Sequence, residues 1–176
     1  MGILNITPDS FSDGGKYLET NQAIKRAEEL SNQGAKIIDV GAESTRPGST
    51  KVSPDEELNR ISSVVKQLSN THTLSIDTYK ANTAKKCLEL GAKIINDVTA
   101  LRYDKNMVEV AKEHNSEIVL MFSKKVEPHA DLEEKEYKDL LKEIIDFLSN
   151  RIDFALKTRP TRKHANTQEK LFTIKP

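Results

Sequence analysis

The chain has 176 residues, enough for one ordinary domain with a core of its own. Its 27 Lys and Arg balance its 27 Asp and Glu, so the overall charge calls for neither nucleic acid nor an anionic membrane. Trp is absent and aromatics are 5% of residues, which argues against stacking platforms for single strands; no apolar run reaches membrane-span length, and a lone Cys87 excludes an intrachain disulfide.

Short runs of β-branched apolar residues alternate with amphipathic segments of helical length, the pattern of βα units. The first strand is predicted over 2–6, followed by a loop over 7–16 rich in Pro, Asp, Ser and Gly. About ten residues is long for a βα connection, which usually takes roughly two to six, and this marks the loop as functional. Thr20 is placed to cap a helix running to Gln33, with Gly34 as its left-handed terminator. A strand over 35–40 leads to a second polar loop over 41–52. Ser53, Pro54 and Glu56 then open a helix as cap, first helical residue and capping-box partner.

The third strand is predicted over 73–77 and a short helix follows, carrying Ala81, Ala84, Cys87 and Leu88 and ending at Gly91. Cys87 lies on the apolar face of that helix and reads as a small core residue. The fourth strand covers 92–98. Asp104 is placed to cap a helix containing Met107, Val108 and Ala111, and the fifth strand covers 117–121. A longer helix is expected from near Glu133 to Lys157, with Leu141, Ile144, Ile145, Leu148, Ile152 and Leu156 apolar. Gly34-Ala35-Lys36-Ile37-Ile38-Asp39 is echoed by Gly91-Ala92-Lys93-Ile94-Ile95-Asn96, so a helix-ending Gly followed by a buried strand occurs twice. Residues 1–157 therefore read as one domain. Residues 158–176 read as a divergent, poorly ordered tail in which basic residues surround few apolar ones and Pro160 interrupts any helix.

Sheets of this kind bind ligands outside the carboxyl ends of their strands, which brings Asn5, Asp39, Asp77 and Asn96 to one shared site. Asp77 and Asn96 together offer acceptors and a donor suited to a flat nitrogen heterocycle, although either residue alone also suits a helix cap. Thr45 and Arg46 in the second loop offer a hydroxyl and a fork of donors suited to phosphate. Asp39 is open between a ligand contact and an inner scaffold role. Five βα units fit either an open doubly wound sheet or part of a barrel, and the pattern alone does not choose.

The stretch from Met1 to Gly15 (MGILNITPDSFSDGG) resembles the first signature of dihydropteroate synthase, and Ile37 to Gly48 (IIDVGAESTRPG) resembles its second. Ser75-Ile76-Asp77-Thr78 and Ile95-Asn96-Asp97-Val98 are similar to the family's third and fourth strands, and the likeness spans residues 1–157. The resemblance implies a TIM-type (β/α)8 barrel, here an incomplete one of about five βα units. It implies a transferase of folate biosynthesis that joins 6-hydroxymethyl-7,8-dihydropterin diphosphate to 4-aminobenzoate, releasing diphosphate.

By the same resemblance Asp77 and Arg46 are catalytic, and Asp77 and Asn96 bind the pterin with Met121 in its wall. Asn5 serves the Mg²⁺ and diphosphate site, Thr45 and Arg46 close over diphosphate and aminobenzoate, and Phe11 and Pro47 flank the aminobenzoate ring. The family's later Asp-Pro-Gly, Lys and Arg/His signatures have no counterpart here. A truncated member is therefore expected, with raw edges at the first and fifth strands, a tendency to associate and impaired turnover. Other readings are a pterin-binding fragment without turnover and the pterin-binding domain of a corrinoid methyltransferase. With no export signal at the N-terminus, a cytoplasmic protein is expected.

Overall fold

The computed structural model describes residues 1–7, 16–46, 48–129, 139–157 and 172–175, with side chains at all of these except 16–19 and 172–175. Strands and helices alternate: β1 (Gly2–Asn5), α1 (Lys16–Asn32), β2 (Ile37–Gly41), α2 (Pro54–Leu68), β3 (Thr73–Asp77), α3 (Ala81–Glu89), β4 (Ile94–Asp97), α4 (Met107–Glu113), β5 (Glu117–Met121), α5 (Leu140–Lys157) and β6 (Phe172–Lys175). The strands form one sheet in the order β1-β2-β3-β4-β5-β6, and every neighbouring pair is parallel. A doubly wound sheet reverses its strand order at a switch point, whereas a barrel winds in one direction. The observed order is that of a barrel, left incomplete.

Period-two alternation sorts each strand into two faces. Leu4, Ile38, Val40, Leu74, Ile76, Ile95 and Leu120 are all 1% exposed or less and pack with helix residues such as Ala27, Ile61, Val65, Cys87 and Met107 in one core. The opposite face holds Ile3, which is 61% exposed on the first strand, and the polar residues of the candidate site. Cys87 is fully buried, and burial pushes its thiol up to about 12, as suits a core residue.

Three helices end in the same way. Ala35 N–H reaches Leu30 O and Gly34 N–H reaches Ser31 O; Ala92 and Gly91 repeat this with Cys87 and Leu88, and Ser116 and Asn115 with Ala111 and Lys112. Each pivot residue has positive φ, 101° at Gly34, 108° at Gly91 and 49° at Asn115, so these are Schellman terminators. At Gly91 a Cβ would also meet Ser69 Cβ at 2.8 Å, so close packing adds to the conformational demand. The third copy escaped the sequence pattern because Asn replaces Gly.

Several expectations need correction. The first helix begins at Lys16, so Thr20 lies in its second turn and is no cap; no breaker stands between them to stop the helix extending backwards. Asp104 Oδ1 accepts from Asn106 N–H at 3.0 Å and its carbonyl from Met107 N–H at 3.1 Å, so it caps the turn that opens α4 as expected. It has a second role that was not expected: Asp104 Oδ2 accepts from Ala81 N–H at 2.9 Å and so caps α3 across the fold. Ser53 caps α2 as expected, accepting from Glu56 N–H at 3.2 Å, and Glu56 Oε1 accepts from Arg60 Nε at 3.0 Å.

Within the tail, residues 172–175 form β6 rather than remaining irregular, with Phe172-Thr173-Ile174 a β-prone run able to continue the sheet. Among the described residues the terminal strands of the sheet are therefore β1 and β6, and the fifth strand is not an edge. The expected start of α5 near Glu133 lies outside the described residues. On that helix Leu141 and Ile145 are 72% and 61% exposed, while Leu148 and Ala155 are buried, because no neighbour covers its other flank among the described residues. Among the described residues no helix is long and apolar enough to cross a membrane.

Candidate active site

Register builds the site. Asn5 is paired with Gly41, Gly41 with Asp77, Asp77 with Asn96, and Asn96 with Val119, so these five residues form one row across five strands, at the carboxyl ends of the first three. Residues opposite one another in a parallel ladder project to the same face. The side chains agree: a Cβ placed on Gly41 would lie 3.5 Å from Asn5 Oδ1 and 3.6 Å from Asp77 Oδ2. Gly41 thus leaves a notch between an amide oxygen and a carboxylate. Met121, two residues beyond Val119, lies on the same face and is half-buried.

Asp39 stands one layer deeper on this face, 2% exposed. Asn96 Nδ2 donates to its Oδ2 at 2.9 Å. This contact places Asp39 behind the Asn96 amide, in line with the scaffold reading. It also removes the helix-cap reading of Asn96. Asp77 is not a cap either, since the N-cap position of α3 is Lys80.

Thr45 and Arg46 leave the same edge, four and five residues after Gly41. Arg46 is exposed, and its guanidinium makes no hydrogen bond or ion pair with the described residues. Phe11 and Pro47 lie outside the described residues.

Beside this row sits a buried charge cluster that sequence reasoning missed. Lys80 Nζ contacts Glu43 Oε2 closely, Glu57 Oε2 at 3.2 Å and Val52 O at 2.7 Å. The side chains of Glu43, Glu57 and Lys80 are 2%, 1% and 11% exposed. Glu43 Oε1 accepts from Val52 N–H at 2.8 Å and Tyr79 O–H at 3.0 Å, and lies 3.0 Å from His129 Nε2. Thr83 O–H donates to Glu57 Oε2 at 2.8 Å.

Burial raises the carboxyl of Glu43, but the Lys80 and Val52 hydrogen bonds and the Lys80 charge outweigh it and hold the group below its ordinary value. For Glu57 burial wins and the carboxyl is pushed up, since this residue is deeper and farther from the ammonium. The cluster ties the start of the second loop to α2 and α3. The one advance signal was Glu57 on the apolar face of an amphipathic helix, where a charge needs a partner.

On the far side, β4 leads into a turn with two non-glycine residues at positive φ, Ala100 at 53° and Leu101 at 63°. The buried Asp97 carboxylate accepts from Thr99 N–H, Thr99 O–H and Leu101 N–H at 2.7–2.9 Å. Arg151 of α5 donates to Ala100 O at 2.7 Å and Leu101 O at 3.0 Å, fixing the turn from outside. Such a conformation persists only when its surroundings over-determine it.

Residues 1–158 match the family described as pterin binding enzyme. The chain belongs to that family. It is 45% identical over 158 residues to dihydropteroate synthase of Streptococcus pyogenes serotype M1, covering 89% of this chain and 56% of that protein. It is 42% identical over 166 residues to dihydropteroate synthase of Bacillus subtilis strain 168, covering 93% and 55%. A crystal structure of dihydropteroate synthase from Clostridium difficile in the presence of pteroic acid superposes with a TM-score of 0.82 at 40% identity, over 99% of this chain and 62% of that one. The Xanthomonas albilineans dihydropteroate synthase with 4-aminobenzoic acid gives 0.79 at 36% identity, over 89% and 55%. The chain thus spans about half the length of the curated relatives it matches.

Proposed function

We propose that the row Asn5–Gly41–Asp77–Asn96 is the pterin and diphosphate site of a dihydropteroate synthase. The observation that carries this reading is the in-register row itself, at the same sheet edge as the Thr45–Arg46 loop. It is supported by relatives named as that enzyme, and by related structures described as in the presence of pteroic acid and with 4-aminobenzoic acid.

In this reading the Asp77 carboxylate accepts hydrogen bonds from the amino and ring N–H groups of the pterin. The Asn96 amide, with one N–H already given to Asp39, presents its remaining donor and its oxygen in a set orientation. Met121 walls the ring. Arg46 and Thr45 meet the diphosphate, and Phe11 and Pro47 the aminobenzoate. The pterin C–O bond breaks and its electron pair leaves with diphosphate; the arylamine nitrogen forms the new C–N bond and releases a proton to water. Asp77 stabilises the positive charge that develops on the pterin methylene, and Arg46 the negative charge on the leaving group.

Mg²⁺ suits the oxygen donors present. Among the described residues no cluster of three His, Cys, Asp or Glu side chains forms a cage, and Mg²⁺ characteristically completes its shell with phosphate oxygens and water. Asn5 would hold it through its amide oxygen, and the ion supplies charge neutralisation of the departing diphosphate.

The test is calorimetry of the full chain with a pterin, alongside a separate turnover assay. Asp77→Asn is expected to weaken pterin binding at least tenfold, about 1.4 kcal/mol, with an unchanged melting temperature. Equal binding by wild type and variant would sink the assignment. A second reading, a pterin-binding unit without turnover, predicts pterin binding with no dihydropteroate formed. Association through the β1 and β6 edges and the exposed Leu141 and Ile145 belongs to the same reading.

A further inference from the structure

His129 comes from the segment after β5, 80 residues from Ser49, yet its Nδ1 lies 2.8 Å from Ser49 Oγ. Its Nε2 lies 3.0 Å from Glu43 Oε1 and 3.2 Å from Tyr79 Oη, and the side chain is 8% exposed. Ser49 Oγ in turn sits 2.6 Å from both Ser44 O and Arg46 O, the carbonyls on either side of Thr45. A continuous path through the imidazole therefore joins the Ser44–Ser49 stretch of the second loop to the buried Glu43–Lys80 cluster, to which the end of that loop is tied separately through Val52.

Counting hydrogens separates two forms of the ring. Glu43 Oε1 only accepts, so Nε2 must carry a hydrogen to bond with it. The Ser49 hydroxyl has one hydrogen, and two of its three neighbours are carbonyls that only accept. When that hydrogen goes to a carbonyl, Oγ is left with lone pairs facing Nδ1, and the contact is satisfied only by a hydrogen on Nδ1 as well. A ring protonated on both nitrogens completes the path. A neutral ring that keeps its hydrogen on Nε2 obliges Ser49 to turn its own hydrogen to Nδ1 and release the carbonyls of Ser44 and Arg46.

We propose that His129 is a positioning residue: doubly protonated, it latches the Ser44–Ser49 stretch onto Glu43 and sets where Thr45 and Arg46 stand. The charged and titratable groups around it come from every packed element. They are Glu43 and the exposed Lys51 of the second loop, Tyr79 and Lys80 before α3, Glu57 of α2, Tyr103 against Tyr79, and Glu127 paired with Lys51. Glu43 is the nearest full charge to the ring, and Lys80 lies against the other carboxylate oxygen. That Thr45 and Arg46 handle diphosphate rests on the function proposed above; the latch does not.

The experiment is amide hydrogen exchange on the full chain at about pH 5 and about pH 8, either side of the histidine range, corrected for intrinsic rates. Wild type is expected to lose roughly tenfold protection across residues 44–52 at the higher pH, with α2 and α3 unchanged. His129→Gln, neutral at both values, should abolish that pH dependence, and Ser49→Ala should lower protection at both while sparing the buried cluster. The latch is overturned if His129→Gln keeps the wild-type pH response, or if α2 and α3 lose protection in step with the loop. A parallel titration with inorganic diphosphate separates the two proposals. Absence of diphosphate binding by a chain whose loop exchange behaves as expected counts against the functional reading alone.

Discussion

Two polar groups share the carboxyl edge of this sheet and are built on opposite terms. In the row Asn5–Asp77–Asn96, Asn5 is exposed, Asp77 half-buried and only Asn96 deeply placed, held by Asp39 behind it. In the cluster Glu43–Glu57–Lys80 every charge is buried and turned towards another. The row keeps accessible polar atoms at strand ends, where a ligand can reach them. The cluster directs its hydrogen-bonding capacity inward and fixes the loop that leaves the same sheet edge. The contrast shows how a polar edge stays open without coming apart: its immobility is supplied from next door.

The sharpest way to break this comparison is Lys80→Met. It strands two buried glutamates and is expected to cost about 3–5 kcal/mol by chemical denaturation, the usual consequence of removing one partner of a buried pair. A loss within about 0.5 kcal/mol would mean that the cluster is decoration.

A smaller effect separates the two glutamates by pH. The folded-state value of Glu43 is depressed, so its contribution is present above the ordinary glutamate value of 4.5 and is lost as pH falls through the lower folded value. Glu57 has the opposite sign: burial raises it, and its penalty grows as pH rises from 4.5 towards its folded value. Glu43→Gln should therefore flatten the acid limb of the stability profile, whereas Glu57→Gln should leave that limb and relieve the penalty above it. Identical profiles for the two variants would erase the distinction.

The smallest change in stability, with a large change in binding, is expected at Gly41. An added methyl meets Asp77 Cβ at 3.4 Å and Asn5 Oδ1 at 3.5 Å, ordinary contacts that the fold accommodates. Gly41→Ala should shift stability by less than about 0.5 kcal/mol yet fill the notch and weaken pterin binding roughly tenfold. Unchanged affinity in calorimetry would place the ligand elsewhere.

Much of the site was legible because strand ends in a parallel sheet are addressable from pattern alone. Asn5, Asp77 and Asn96 each close an apolar run, and the observed register aligns those ends. The local cap at Asp104 was legible, but its second partner, Ala81 N–H, lies 23 residues earlier, beyond any local capping rule. Thr20 was misread because a capping residue type does not compel a helix to start there. The run that makes β6 was hidden in a polar, basic tail, since four residues carry too little periodicity to announce a strand.

Local chemistry, then, determined the βα alternation, the helix terminators at Gly34 and Gly91 and the polar strand ends, since each depends on neighbours within a few residues. The one-directional strand order, the pairing of Asp39 with Asn96, and the meeting of Glu43, Lys80 and His129 were decided only in three dimensions. These contacts join residues 37–86 positions apart, and no periodicity in a chain records which distant charge will be buried against which.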